Sequence, residues 1–204
     1  MSIILVNSIS TGTSIAFSTT AAVVYRDINV TTLDRVLDDN EISWLMSIMQ
    51  ISMMIFVLLS GFVNDALGRK KSLILGQIII LIGWVSMYLA PTFSILISGR
   101  FFMGVGTGIV YPINCLYLSE IALVRYPGLE NKKELSYFFF QQIRYRGTMS
   151  VMNTVTTNFA FVYSLILTAT LSLENFIYMS CLPPALFLLF SYFLPESPLW
   201  LMKK

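Results

Sequence analysis

Gly61-Phe62-Val63-Asn64-Asp65-Ala66-Leu67-Gly68-Arg69-Lys70-Lys71 is a short charged break between two long apolar stretches. A connection between two membrane-spanning helices needs only a few polar residues. This one gathers an acid, two glycines and three cations, so it reads as a device rather than a spacer. The flanking stretches decide the fold class. A bilayer-spanning helix takes about 20 mostly apolar residues, and residues 43–64 and 72–90 each approach or reach that length. Extending the reading outward gives six spans, at 3–25, 43–64, 72–90, 94–118, 148–170 and 174–194. They are continuous runs without two-residue alternation, which favours helices over a barrel. The expected fold is an all-α membrane protein of six transmembrane helices.

Composition agrees. The 204 residues are 56% hydrophobic and 12% charged, where a soluble domain carries about a quarter charged residues. The lipid bilayer is therefore the first expected partner, and nothing in the charge pattern points to nucleic acid. The absence of histidine removes the usual general base, metal ligand and pH switch. With no metal cluster or acid–base pair inside the spans, neither an enzyme nor a cofactor or metal site is expected. Cys115 and Cys181 lie in apolar runs and read as small buried hydrophobes. The first residues lack a basic n-region, so no cleavable signal peptide is expected.

The first span is unusually polar, with Asn7, Ser8, Ser10, Thr11, Thr13, Ser14, Ser18, Thr19 and Thr20. Such a helix should face protein or a water-filled cavity. Ten of the thirteen cations fall on one set of connections: Arg69, Lys70, Lys71, Arg125, Lys132, Lys133, Arg144, Arg146, Lys203 and Lys204. The positive-inside rule makes that face cytoplasmic, with both termini inside and several passes through, by expectation, the plasma membrane. The opposite side carries Asn29-Val30-Thr31, an N-glycosylation acceptor at Asn29. In the fourth span Gly99, Gly104, Gly106 and Gly108 recur at helical spacing, which suits close helix packing.

Three charges stand out. Arg100 lies about six residues into the fourth span, roughly 9 Å down a helix. A cation there either reaches the interface or organises polar groups inside the bundle. Glu120 ends the fourth span and Arg146-Gly147 opens the fifth, so the two can pair across the cytoplasmic mouth.

The ordered set Gly61-x3-Asp65-x2-Gly68-Arg69-Lys70, Gly99-Arg100-x3-Gly104-x-Gly106-x-Gly108, Tyr117-x-Ser119-Glu120-Ile121, Arg146-Gly147 and Pro195-Glu196-Ser197-Pro198 resembles the sugar porter family of the major facilitator superfamily. Within it the chain is most similar to facilitated trehalose and hexose transporters, from the second span onward. The resemblance implies the N-terminal six-helix half of a carrier for a small sugar. It implies that Asp65, Gly68, Arg69, Glu120, Arg146 and Glu196 belong to a cytoplasmic gate. Arg100 matches the family's fourth-helix arginine, which in proton-coupled members faces a first-helix aspartate. The first span here has no acid, so the resemblance favours facilitated diffusion. Where the family places a sugar-binding glutamine in the fifth helix, this chain has Thr154. Asn153 and Asn158 lie nearby, so Arg100, Asn153, Thr154 and Asn158 are the expected substrate contacts. A proton-coupled symporter and a non-transporting interaction or sensor protein remain the alternatives.

Two departures complete the expectation. The family's spacing between Ser-Glu-Ile-Ala and Arg-Gly returns when residues 124–142 are removed. That segment begins Val124-Arg125, codable as GTAAGA, and ends in phenylalanines and Gln142, codable as a pyrimidine tract and CAG. It reads as an extra segment in the loop between the fourth and fifth spans, of retained-intron character. The family also continues into six further helices. A C-terminal half is therefore expected as a missing partner, and the 204-residue chain is expected to be inactive alone.

Overall fold

Glycines set how closely these helices stack. The computed structural model describes residues 2–25, 37–124 and 132–194. It holds six helices: α1 Ser2–Val24, α2 Asp39–Leu67, α3 Arg69–Tyr88, α4 Phe93–Val124, α5 Lys132–Thr170 and α6 Leu173–Phe190, followed by a 3₁₀ turn at Ser191–Phe193. Helix α4 is the spine. One face lays Gly99 and Gly106 against α3, where Gly83 and Gly76 answer them. A Cβ on Gly106 would come within 2.6 Å of the Gly76 carbonyl oxygen, and one on Gly83 within 2.9 Å of that of Gly99. The opposite face lays Gly104 and Gly108 on the α2 backbone at Met49 and Met53. Lipid supplies no hydrophobic drive for helices to associate, so backbone approach of this kind carries the packing. Helix α1 lies against α5 in the same way: a Cβ on Gly12 would meet Ala160 Cβ at 2.6 Å.

Among the described residues, five helical segments are long and apolar enough to cross a membrane: Asp39–Leu67, Arg69–Tyr88, Phe93–Tyr117, Ser150–Thr170 and Leu173–Phe190. Helix α1 is the sixth helix, and most of its polarity is turned inward: Asn7, Ser8, Ser10, Thr11, Thr13, Ser14 and Ser18 are all buried, while Thr19 is exposed. Large apolar side chains face outward instead, among them Met54, Leu58 and Phe62 on α2 and Val151, Val155 and Phe159 on α5. A soluble monomer rarely exposes so much contiguous apolar surface.

The helix ends depart from the sequence expectation. Helix α2 runs to Leu67 rather than 64, α5 begins at Lys132 rather than 148, and α6 gives way to the 3₁₀ turn after Phe190 rather than running to 194. Backbone hydrogen bonding continues wherever the chain allows it, whereas the apolar run marks only the hydrocarbon layer. Residues 132–142 of the suspected extra segment are thus the first turns of α5. Asn29 and Glu196 lie outside the described residues, as do the side chains of residues 132–146, Arg146 included.

At its start, α2 is fixed by Glu41, whose carboxylate accepts the Asp38 backbone N–H at 3.1 Å. At its end, the whole link to α3 is one residue. Gly68 adopts φ 88° and ψ 164°, a region essentially reserved for glycine. Its N–H donates to the Asn64 carbonyl at 3.1 Å and its carbonyl accepts from Ser72 at 3.1 Å. Gly68→Ala should therefore lower stability by about 1–3 kcal/mol, while Gly61→Ala, with nothing within 4 Å of its Cβ, should change it little. Comparing the two melting curves in detergent checks this.

Candidate functional site

Three polar assemblies punctuate the bundle. The first lies where α3 begins and α4 ends. Arg69 is the first residue of α3, and Glu120 sits in the last two turns of α4. Arg69 Nε donates to both Glu120 carboxylate oxygens at 3.1 Å, and Nη2 donates to Oε1 at 3.0 Å. This is a fork geometry that only a guanidinium supplies. The side chains are 13% and 9% exposed, so the pair is largely withdrawn from solvent. Asp65, one turn earlier on α2, lies 3.7 Å from Arg69 Nη1 and is mostly exposed. Lys70 Nζ donates to the Tyr192 carbonyl at 3.2 Å, tying the same end of the bundle to the turn after α6. The structure thus brings Asp65, Gly68, Arg69 and Glu120 together. Arg146, the partner expected for Glu120, has its side chain outside the described residues; among those described, Arg69, 51 positions earlier, pairs with Glu120.

The second assembly is a buried amide network joining α1, α3, α4 and α5. Gln77 Nε2 donates to Asn7 Oδ1, and Asn7 Nδ2 donates to Asn114 Oδ1 at 3.1 Å. Asn114 Nδ2 donates to Asn153 Oδ1 at 3.0 Å, which also accepts from Ser8 Oγ at 2.5 Å. Ser10 Oγ donates to Gln77 Oε1 at 2.9 Å. Each of these carbonyl oxygens has a donor, so the network fixes how the helices seat on one another. Asn153 is one of its members, and its Nδ2 donates to Cys115 Sγ at 3.3 Å. Cys115 and Cys181 are free and only half-buried, a correction to their reading as buried hydrophobes. Cys115 is held at the edge of the network, between α4 and α5. Thr154 and Asn158, one turn apart on α5, point outward and are exposed. Of the four expected substrate contacts, only these two present free surface.

The third assembly surrounds Arg100, which is 0% exposed. It does not reach the interface. Its guanidinium carbon sits 4.4 Å over the Phe17 ring, and Nη1 donates to Met49 Sδ at 3.5 Å. Phe17 in turn contacts Trp84, Phe176 and Tyr25, at ring separations of 5.8, 5.1 and 6.4 Å. No carboxylate among the described residues forms an ion pair with Arg100.

Sequence reading missed Gln77, Trp84 and Phe17 as site residues. The signal available was a glutamine inside an otherwise apolar span and a cation with no acid in the facing helix.

Comparison with known proteins decides the family, whose model, described as "Sugar (and other) transporter", matches residues 3–204. The chain belongs to the sugar transporter family. It is 30% identical over 161 residues to the arabinose-proton symporter of Escherichia coli, covering 79% of this chain and 31% of the relative. It is 27% identical over 197 residues to the sugar transporter ERD6 of Arabidopsis thaliana, covering 96% of this chain and 34% of that one. The inward-open xylose transporter XylE of Escherichia coli superposes with a TM-score of 0.71 at 18% identity, over 98% of this chain and 48% of its own. The fold is therefore the N-terminal six-helix half of a major facilitator protein. The chain spans about a third of the length of the curated relatives it matches.

Proposed function

We propose that this six-helix half serves a facilitative, proton-independent carrier of a small sugar, of the trehalose or hexose class. One observation carries the reading. Arg100 is buried against Phe17 and Met49, and α1, which supplies the facing surface, contains no acid and no histidine. A symporter needs a group that gains and loses a proton beside its cation, and this face offers none. Thr154 and Asn158 supply hydroxyl and amide groups suited to sugar hydroxyls, on an outward face that an opposing repeat would cover. The Arg69–Glu120 pair, with Asp65 and Gly68, forms the cytoplasmic clasp. Arg146 and Glu196 would extend it on the strength of the family motif. The membrane is the plasma membrane, with both termini cytoplasmic and Asn29 on the outer side available for glycosylation.

Alternating access works by rocking two repeats around a shared midplane site. The 204-residue chain alone should then give no saturable sugar uptake in liposomes, and uptake there would refute the need for a second repeat. In a two-repeat carrier containing this half, uptake should be unchanged when a protonophore collapses the pH gradient. A several-fold fall in sugar accumulation would instead establish proton coupling. Sequencing the mature message tests residues 124–142: a spliced form lacking those codons is expected, and their presence in every message would make the segment a constitutive insertion.

A further inference from the structure

Among the described residues, the surroundings of Arg100 leave four hydrogen-bonding atoms without partners: Arg100 Nε and Nη2, Tyr25 Oη and Trp84 Nε1. All three residues are 0% exposed. They come from α1's end, α3 and α4, and all border one ring, Phe17. Arginine and tryptophan can only donate, and the one hydroxyl among these groups, Tyr25 Oη, accepts from neither. Among the described residues the acceptor offered to the guanidinium is Met49 Sδ, a weak one that is shared with Ser18 Oγ at 3.4 Å. A buried charge left this way is costly, and each unpaired donor adds its own desolvation penalty.

We infer that this pocket binds a small monovalent anion, of the halide class, held by Arg100, Tyr25 and Trp84. The chemistry narrows the ligand. A sugar or a water would take up donors but leave the positive charge uncompensated, and a water would bring two more donors of its own. One guanidinium calls for one negative charge. The surrounding Phe17, Trp84 and Phe176 are at most 1% exposed, a dry apolar wall that suits a small, easily dehydrated ion better than strongly hydrated sulfate or phosphate. The inference does not rest on transport, since it concerns the folded chain by itself.

The test uses the full chain in detergent, melted in sodium chloride and in sodium gluconate at equal ionic strength. A ligand that binds only the folded state stabilises it in proportion to the logarithm of its concentration above Kd, so chloride and bromide should raise Tm saturably while sulfate should not. In a variant with Trp84 as its one tryptophan (Trp44→Phe, Trp200→Phe), iodide should quench fluorescence along a curve that saturates. Arg100→Met should abolish both effects. Should that variant fail to fold, Tyr25→Phe leaves the charge in place and should weaken the apparent halide affinity by about tenfold, as expected for one hydrogen bond to a charged group. Equal melting in chloride and gluconate would overturn the proposal. So would quenching that rises linearly with iodide, or a saturable component that survives in Arg100→Met or is unchanged in Tyr25→Phe.

Discussion

Gly104→Leu should lower the stability of the bundle by about 3 kcal/mol, at the upper end of the usual cost of overpacking. A Cβ at this position would already overlap Ser52 Oγ and the Met49 carbonyl, so α4 and α2 must separate to admit a larger side chain. Met49 is also the sulfur that receives Arg100 and Ser18. Displacing it therefore disturbs the buried cation as well as the helix contact. Neither backbone can yield locally, because α4 is pressed from its other side by α3 through Gly99 and Gly106. Gly61→Leu is the matched control, since its Cβ meets nothing within 4 Å, and it should stay within about 0.5 kcal/mol of the parent chain. Unfolding both variants in mixed micelles under rising denaturing detergent gives the comparison. Equal midpoints would refute the close approach of α4 to α2.

The second large effect comes from Arg69→Met. It leaves Glu120, which is 9% exposed, without its bidentate guanidinium. Breaking a buried pair from one side costs about 3–5 kcal/mol; the partial exposure of Arg69 brings the expectation to about 2–3 kcal/mol. The double variant Arg69→Met, Glu120→Met removes both charges and should recover most of that loss, because the penalty belongs to the carboxylate that has lost its guanidinium rather than to the missing attraction. A double-mutant cycle then returns a coupling energy of about 2 kcal/mol. Additive single effects would mean that the pair contributes nothing beyond its separate side chains. In a two-repeat carrier the single variant should also loosen the inner clasp, read as faster labelling of a cysteine placed at the cytoplasmic mouth.

The six helices could be read from the sequence because the bilayer is a demanding solvent: apolar runs of spanning length announce themselves. The glycines of α4 were legible as packing residues, but not their division of labour. Which of Gly99, Gly104, Gly106 and Gly108 faces α3 and which faces α2 depends on the crossing of three helices, and no local pattern encodes that. The charged cluster of Asp65, Gly68, Arg69 and Glu120 was legible through its motif. Its pairing was not, because Arg69 and Glu120 are far apart in sequence and become neighbours only once α3 and α4 lie side by side. Asn153 shows the opposite case. Its place on a polar stretch of α5 suggested a sugar contact, yet its amide is taken up by Asn114, Ser8 and Cys115. Polarity in a span tells that a partner exists without telling which one.

The inward polarity of α1 sets a timetable for biosynthesis. Its side chains hydrogen-bond to Gln77, Asn114 and Asn153, separations of 67, 107 and 145 residues. At about 5–20 residues per second, Asn153 leaves the ribosome roughly 7–30 seconds after Ser8. Until then Asn7, Ser8 and Ser10 lack these partners, whereas Thr11, Thr13 and Ser14 already donate to carbonyls of their own helix. Helix α1 can therefore complete its buried hydrogen bonds only once α5 has been made.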